Sequence, residues 1–312
     1  MKPIVYTDMK KFLTFVSSGA VLIILADFLF GFSISHYIEN YGLHGDYQPI
    51  EHVMKTCEDD VLAIGSSVVL NSFVPTVFED SLGLTCYNAG ANSQTMPFFH
   101  TILNSVLQRY TPKMILLGLR PNELSGNDIG RYHLLIPYYR RGINEIDSVL
   151  ESKNKYEKYL LKSNLYRYNT VWFRIMLYHF IRDHEKGIKG FSGHKKPLFP
   201  PQLTTSTEKS GVSVMKMKLF KDFVCQCEKR GIALVVYFPP MYTLYEEKTA
   251  TVTEVQRLCQ EHHIPCYYDT QDSIFLKHQE WFYDNVHLVK DASYIYSKSL
   301  VKRVKRDLCV RF

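Results

Sequence analysis

Short apolar runs that end in turn residues alternate with amphipathic segments along most of the chain. The run from Val61 to Gly65 stops at two serines, and a later run stops at Pro239-Pro240. Runs of this length, bounded by glycine, proline or hydroxyl side chains, are typical of buried parallel strands. Strands that alternate with helices imply right-handed crossovers. The pattern therefore predicts an α/β fold in which helices cover both faces of a central parallel sheet.

We assign this α/β domain to residues 61–312. Its strands are predicted over Val61–Gly65, Thr85–Asn88, Met114–Leu119, Ile232–Phe238 and Ile264–Asp269. Its helices are predicted over Phe73–Leu82, Pro97–Tyr110, Val214–Arg230, Thr251–His263 and about Lys290–Asp307. Gly231 follows the third of these helices, where glycine commonly forms a C-terminal cap.

Between about residues 125 and 213 the alternation is interrupted by a long, basic and tyrosine-rich stretch. Amphipathic segments are expected near 143–161 and 171–183, and a surface loop is expected over 187–208, where Gly, Lys, Pro and Thr are frequent. We interpret the stretch as an insertion over the sheet. Its aromatic side chains suit a core, and stacking on the sugar rings of a glycan is the alternative.

One apolar run, from Phe12 to Phe32, is close to the ~20 residues that a bilayer-spanning helix needs. A buried core helix is the soluble alternative, but the run is apolar on all sides and lies near the start of the chain. Its single charge, Asp27, comes late in the run. We expect Asp27 to lie at the membrane interface, with pairing to a partner helix as the alternative.

Three lysines, Lys2, Lys10 and Lys11, precede this run. The positive-inside rule therefore places residues 1–11 in the cytoplasm and the α/β domain outside the cytoplasmic (inner) membrane, in the periplasm. Because no cleavage site of small residues follows in the usual position, residues 12–32 are predicted to be an uncleaved, single-pass signal anchor. Residues 33–60 are polar and aromatic and are expected to be an irregular juxtamembrane connector.

Composition and charge exclude several classes of protein. The chain has 312 residues, 46% of them hydrophobic, and a net charge of +6 that is spread along the sequence, so no nucleic-acid partner is expected. The local basic run Lys302-Arg303-Val304-Lys305-Arg306 is interpreted as the solvated face of the last helix, with attraction to an anionic membrane as the alternative. Dinucleotide and P-loop motifs are absent, and no cofactor is expected.

Metal and disulfide sites also find little support. None of the seven cysteines forms a C-x-x-C pair, which argues against a zinc site or a redox dithiol. Cys259 and Cys266 could form a disulfide if a helix and the next strand bring them together. Five histidines considered as metal ligands lack the spacing that a metal site needs: His100, His133, His179, His184 and His194.

Ser67 is the first candidate for a nucleophile. It follows the first predicted strand, and catalytic groups of α/β folds gather at the carboxyl ends of parallel strands. A serine there also suits a helix cap. When only the stretch around Ser67 is considered, this structural alternative stays open. Ser66 precedes it and is expected to be a positioning residue at most.

The stretch Asp284-Asn285-Val286-His287, before the last helix, supplies the other two groups that a serine nucleophile needs. A histidine beside Ser67 could act as the base, and an aspartate three residues earlier could orient the imidazole. An Asp-x-x-His pattern by itself is common. Its position at the far end of a chain whose first strand ends in Gly-x-Ser makes the combination much rarer.

Together these stretches resemble the SGNH/GDSL hydrolase superfamily. Its Gly-Asp-Ser block is similar to Gly65-Ser66-Ser67, and its Asp-x-x-His block matches Asp284 and His287. The resemblance implies a fold of the SGNH or flavodoxin-like type and covers about residues 61–122 and 232–304. It makes Ser67 equivalent to the nucleophile, His287 to the base and Asp284 to the orienting carboxylate.

The family's two middle blocks correspond more loosely and imply an oxyanion hole. Its second block supplies a glycine N–H, and the alignment places Ser93 at that position with Gly90 nearby. Its third block, Gly-x-Asn-Asp, is stretched here to Gly118-Leu119-Arg120-Pro121-Asn122-Glu123. The implied donors are the backbone N–H of Ser67, that of Ser93 or Gly90, and the side chain of Asn122.

Gly-Ser-Ser in place of Gly-Asp-Ser is similar to membrane-anchored family members that act on cell-envelope polysaccharides. The resemblance thus implies a serine esterase or O-acyltransferase, with acetyl as the expected acyl group and an envelope glycan or small acyl ester as substrate. A membrane protein that donates acyl groups is an expected partner of a transferase. The alternative function is a catalytically inactive scaffold or glycan-binding subunit of an envelope assembly.

Overall fold

A central sheet of five parallel strands organises the computed structural model, which describes residues 3–169, 171–181, 187–207 and 211–308. The strands along the chain are β1 (Val61–Gly65), β2 (Cys86–Asn88), β3 (Met114–Gly118), β4 (Thr204–Ser206), β5 (Ala233–Phe238), β6 (Thr243–Tyr245) and β7 (Cys266–Tyr268). The central sheet has the order β2-β1-β3-β5-β7, and every neighbouring pair is parallel. The predicted central parallel sheet is confirmed.

Helices cover both faces of this sheet, as the alternation predicted. The α-helices in chain order are α1 (Pro3–Tyr41), α2 (Gln48–Lys55), α3 (Ser67–Leu70), α4 (Pro75–Leu82), α5 (Met96–Leu107), α6 (Asn144–Glu151), α7 (Glu157–Leu160), α8 (Asn164–Tyr168), α9 (Val171–Phe180), α10 (Val214–Lys229), α11 (Ala250–Glu261), α12 (Ser273–Leu276) and α13 (Lys290–Leu308). Short 3-10 turns lie at Gly45–Tyr47, Tyr132–Tyr138, Ile188–Gly190 and Gln279–Trp281.

Successive side chains of each strand enter two different cores, because side chains alternate across a strand. Leu62 and Ile64 of β1 pack in the larger core, together with residues of α2, α5, α10, α11 and the insertion. Val61 and Ala63 pack in the second core, together with residues of α4 and α13. This division confirms the predicted three-layer arrangement and explains why the inner strands β1, β3 and β5 consist almost entirely of apolar residues.

Chain order reverses on either side of β1, because β2 lies on one side of it and β3 on the other. At such a point the crossovers diverge and leave a crevice outside the carboxyl ends of the strands. Gly65 and Gly118, the last residues of β1 and β3, are paired across the two strands. A Cβ atom at either position would overlap the side chain of Val69, so the glycine pair lets α3 lie directly on the strand ends.

The structure differs from the prediction over residues 33–60, which are mostly helical and not irregular. Helix α1 continues to Tyr41, because Ile34 and Ile38 lie one turn apart on a buried side of it. Helix α2 follows, lies beside α5, and buries Ile50, Val53 and Met54 in the larger core. Ile50, Val53 and Met54 have the i, i+3, i+4 spacing of an amphipathic helix, so the sequence carried a signal for α2 that the prediction did not use.

The insertion also differs in detail from its prediction. The helix expected near 143–161 is two shorter helices, α6 and α7, and the one expected over 171–183 is α9, with 182–186 outside the described residues. The tail predicted as a surface loop over 187–208 buries Phe191 and contributes β4. Strand β4 pairs with β6 in a small parallel sheet that no apolar run indicated.

The C-terminal basic run is not simply a solvated helix face. The guanidinium of Arg303 donates two hydrogen bonds of 2.7 Å to the Asp269 carboxylate, which also accepts the hydroxyl of buried Tyr296 at 2.9 Å. Neighbouring Val304 is buried in the second core. The run therefore ties α13 to the loop that follows β7.

The cysteines described by the structure are free thiols. Cys259 and Cys266, the pair considered for a disulfide, are close enough for their thiols to interact, and this hydrogen bond, with burial, raises the pKa of Cys259. Cys309 lies outside the described residues.

Candidate active site

Ser67 is the first residue of α3, at the carboxyl end of β1. The preceding Ser66 is buried and has an extended backbone (φ −84°, ψ −159°), so the chain turns sharply from strand to helix between the two serines. Asn88 fixes the turn, because its buried side-chain amide donates to the carbonyls of Val69 at 2.9 Å and Phe73 at 2.8 Å. The Ser67 hydroxyl is thereby presented at the crevice beside β1 and β3.

The loop before α13 brings His287 and Asp284 to this hydroxyl. The distance between His287 Nε2 and Ser67 Oγ is 2.8 Å, and that between His287 Nδ1 and Asp284 Oδ2 is also 2.8 Å. All three side chains therefore lie in one hydrogen-bonded series, although Ser67 and His287 are 220 positions apart in the chain. This is the arrangement that a general base needs to activate a hydroxyl.

The Asp284 carboxylate accepts several hydrogen bonds that stabilise its negative charge. It accepts the backbone N–H groups of Val286 and His287, both at 2.8 Å, in addition to the imidazole. Burial alone would raise the pKa of Asp284, but the hydrogen bond from His287 and these backbone donors outweigh it and lower the pKa to about 2. The carboxylate is consequently ionised at neutral pH.

The two residues considered for the second oxyanion donor, Ser93 and Gly90, differ in their backbone environment. The N–H of Gly90 donates to Asn88 Oδ1 at 2.9 Å and is already used. Ser93 has a backbone φ of +57°, in the left-handed region that glycine adopts most easily. A serine in a glycine conformation is the result expected if Ser93 replaces the glycine that the family resemblance implies at this position.

Asn122 lies in the turn that follows β3, at the same edge of the sheet, and is half-buried. The neighbouring Glu123 is fully buried and pairs with the side chain of Arg120, with 3.0 Å between Glu123 Oε2 and Arg120 Nε. Burial opposes the charge on Arg120, and the Glu123 carboxylate raises the pKa of this guanidinium. This ion pair braces the turn that holds Asn122.

One wall of the site comes from the insertion and was missed by the sequence analysis. The ring of His194 stacks on Tyr283, with 4.1 Å between ring centroids, and lies edge-on to His287 at 5.5 Å. Burial first, and then the neighbouring His287, lower the pKa of His194. No local motif marks this residue, because only the return of the insertion across the sheet brings it to the site.

The tail of the insertion, which contains His194, also holds in place the loop that carries Asp284 and His287. The backbone of His194 pairs with that of Val289, and the N–H of Lys290 donates to the His194 carbonyl at 2.8 Å. Further along, the side chain of Asn285 donates to the carbonyls of Gln202 at 2.6 Å and Tyr242 at 3.0 Å. The tail of the insertion is therefore part of the framework of the site.

A cleft of about 460 Å³ lies beside α3. Leu70, which lines it, is three residues after Ser67, only ~5 Å along the helix axis. Other lining residues are Gly90, Asn92, Arg131, His133 and Ser192. Burial and the nearby Arg174 lower the pKa of His133 to about 4, so His133 is neutral at neutral pH. The cations that line the cleft are then Arg131 and Lys189, and Lys189 is paired with Glu79.

A possible metal-ligand cluster lies beside α2, in a stretch of the chain where no metal was expected. Ligand atoms of His52, Cys57 and Asp59 lie within 4.8 Å of one another. The Cys57 thiol donates to Asp59 at 3.3 Å, and burial raises its pKa to about 11. Metal binding there would have to displace this proton, since the thiolate is the ligand.

Comparisons with known proteins give distant likenesses in structure. No protein-family model matches the chain, and no curated protein matches it. A solved lipolytic protein of the G-D-S-L family from Desulfitobacterium hafniense is similar over 78% of this chain and 97% of its own, with 11% identity and a TM-score of 0.40. A lipase/acylhydrolase from Enterococcus faecalis is similar over 79% and 95%, with 8% identity and a TM-score of 0.36. At this identity the comparisons carry no argument about chemistry, which has to be argued from the residues of this chain.

Proposed function

We propose that the chain is a serine esterase or O-acyltransferase in which Ser67, His287 and Asp284 form the catalytic triad. The proposal rests on one observation, the two 2.8 Å contacts that join these side chains in series. A catalytically inactive scaffold has no need for such a series between residues from opposite ends of the chain. We therefore prefer the enzyme to the scaffold or glycan-binding subunit.

In the first half of the reaction, Ser67 Oγ attacks the carbonyl carbon of an ester. His287 Nε2 accepts the hydroxyl proton, and Asp284 stabilises the resulting imidazolium through its contact with Nδ1. The tetrahedral intermediate collapses when the ester C–O bond breaks and His287 returns the proton to the leaving alcohol. An acyl group then remains on Ser67.

The developing oxyanion would be bound by the N–H of Ser67, the N–H of Ser93 and the side chain of Asn122. The N–H of Ser67 is at the first position of α3, where a helix offers no internal acceptor. Loss of one oxyanion donor typically costs ~10²–10³ in rate, so this group of donors is as important as the base.

In the second half, His287 activates whichever hydroxyl reaches the acyl-enzyme. Water as acceptor makes the protein an esterase, and a sugar hydroxyl makes it an acyltransferase. The cleft beside α3 is lined by Leu70 and not by the triad itself, so an acceptor in it would have to extend past Leu70 to reach Ser67. Its volume suits a sugar-sized group, and Arg131 suits an acceptor with an anionic group. We propose a cell-envelope or exported polysaccharide as substrate, acetyl as the acyl group, and a membrane acyl donor as partner if the protein is a transferase.

We further propose that helix α1 anchors the protein in the cytoplasmic membrane and that the α/β domain lies on the periplasmic side. The helix from Met9 to Tyr41 is long and apolar enough to cross a membrane, and its apolar side chains from Val21 to Leu25 are exposed. A reporter enzyme that works only in the periplasm should be active when fused after Phe312. An inactive, fully expressed fusion would contradict this orientation.

Chemical trapping tests the proposed chemistry directly. A serine-reactive phosphonate should form a covalent adduct with the full-length protein in detergent, because His287 makes Ser67 more nucleophilic than other serines. Mass spectrometry of the digested protein should locate the adduct on Ser67. Prior unfolding of the protein should prevent labelling, and an adduct spread over several surface serines would refute the assignment.

A further inference from the structure

Helix α1 and the insertion are joined at Asp27, the charge within the apolar run. The Asp27 carboxylate accepts the hydroxyl of Ser163 at 2.6 Å and the side-chain amide of Asn164 at 3.1 Å. It also accepts the backbone N–H groups of Asn164 at 3.0 Å and Leu165 at 2.8 Å. An acid that would be costly in an apolar helix is thus satisfied by the first turn of α8.

The length of the apolar run sets the depth of this junction. From Lys11 to Asp27 the helix rises ~24 Å, which is shorter than the ~30 Å hydrocarbon core of a bilayer. The run continues through Phe28 to Phe32, and with these residues the rise from Lys11 becomes ~32 Å, which matches the core. Asp27 and the part of the insertion bonded to it therefore lie level with the last turns of the span.

The insertion exposes apolar side chains at this level. The exposed fractions of Leu165, Trp172 and Phe173 are 41%, 38% and 60%. Trp172 is beside Phe30 of α1, with 6.4 Å between ring centroids, whereas His179 at the other end of α9 is beside Tyr41 at 5.5 Å. Helix α9 consequently runs along α1 with its Trp172 end nearest the span.

The segment of the insertion that precedes α8 carries exposed lysines, which suit an anionic lipid surface. Lys155, Lys158 and Lys162 lie over exposed tyrosine rings, at 4.7 to 5.5 Å from the ring centroids. Aromatic rings combined with lysine are typical of the belt where membrane proteins meet lipid headgroups. Near an anionic membrane surface each lysine adds attraction of its own.

We propose that Leu165, Trp172 and Phe173, here called the insertion patch, are embedded in the lipid bilayer that holds α1, on the side of the α/β domain. The proposal rests on the membrane anchor proposed above and adds a second point of attachment to it. Two attachments, the span and the patch, hold the α/β domain against the bilayer in one orientation. The span alone would still let the domain rotate about the axis of α1.

The chain has two tryptophans, and their positions provide the test. Trp172 belongs to the insertion patch, whereas Trp281 packs in the α/β domain against His278 and Phe275, at ring-centroid distances of 4.0 and 5.1 Å. Trp281→Phe leaves Trp172 as the reporter, and Trp172→Phe leaves Trp281 as the matched control. If Trp281→Phe does not fold, Trp281→Tyr takes its place.

Both full-length variants are placed in nanodiscs of anionic phospholipid with acyl chains brominated either near the headgroup or near the chain end. Bromine near the headgroup should quench about half of the Trp172 fluorescence, because rings of the aromatic belt lie at that depth. Bromine near the chain end should quench less, and Trp281 should not respond to either lipid. Equal responses of the two tryptophans would overturn the proposal.

A third variant separates the patch from the anchor. Ile23→Trp, in a chain with both native tryptophans replaced by phenylalanine, places the reporter within the span. Quenching of this variant without quenching of Trp172 would refute the patch and leave the anchor intact, and no quenching of either would refute both. Protection of Trp172 from both brominated lipid and aqueous acrylamide would show a covering protein and also overturn the proposal. Ester turnover in the same nanodiscs tests the proposed catalytic function separately.

Discussion

Replacement of Ser67 by alanine is expected to lower kcat for a small acyl ester by about 10⁴–10⁶-fold. The substitution removes the atom that forms the acyl-enzyme, and His287 then has no hydroxyl to activate. Turnover of p-nitrophenyl acetate by the purified full-length protein, corrected for its spontaneous hydrolysis, measures the effect. Thermal unfolding of the variant should resemble that of the wild type, because Ser67 is not a core residue.

The neighbouring serine provides a matched control for this experiment. Ser66 is buried, and its hydroxyl has no hydrogen-bond partner among the described residues. Ser66→Ala is therefore expected to keep kcat within a few-fold of the wild type. Equal losses in the two variants, or full activity of Ser67→Ala, would contradict the assignment of Ser67 as the nucleophile.

Replacement of Asp284 by asparagine is expected to lower kcat by about 10⁴-fold at neutral pH. An asparagine can still accept the backbone N–H groups of Val286 and His287, so the loop should keep its shape. It can no longer stabilise an imidazolium, and its amide can bond the wrong tautomer of His287. The measurement is kcat for the same ester together with a thermal unfolding curve.

Asp291→Asn serves as the control for this second change, since Asp291 is exposed in the first turn of α13. We expect it to leave turnover unaltered. Activity of Asp284→Asn close to that of the wild type would mean that Asp284 does not act on His287 in the reaction. A large fall in its unfolding temperature would instead indicate that the carboxylate mainly stabilises the loop.

Local sequence patterns predicted the central sheet well, because its inner strands β1, β3 and β5 are buried on both faces, although the edge strand β7 is only partly buried. Five strands were expected and five form the sheet, with ends that shift by at most two residues. The small sheet of β4 and β6 was missed, since these three-residue strands contain polar side chains and are only partly buried. The helical connector over residues 33–60 was missed although Ile34 and Ile38, and Ile50, Val53 and Met54, have helical spacing, because each helix buries only a few apolar residues.

For the candidate site, the sequence by itself determined which residues are chemically suited to the triad. Gly-x-Ser at the end of the first strand and Asp-x-x-His before the last helix are local patterns, and their chemistry depends on residue type and on position in a parallel α/β fold. The tertiary structure alone decided the contacts between segments far apart in the chain: Ser67 to His287, the insertion's His194 to Tyr283, and Asp27 to the start of α8. Such contacts form only when the sheet and the insertion pack together, so no local pattern of side chains specifies them.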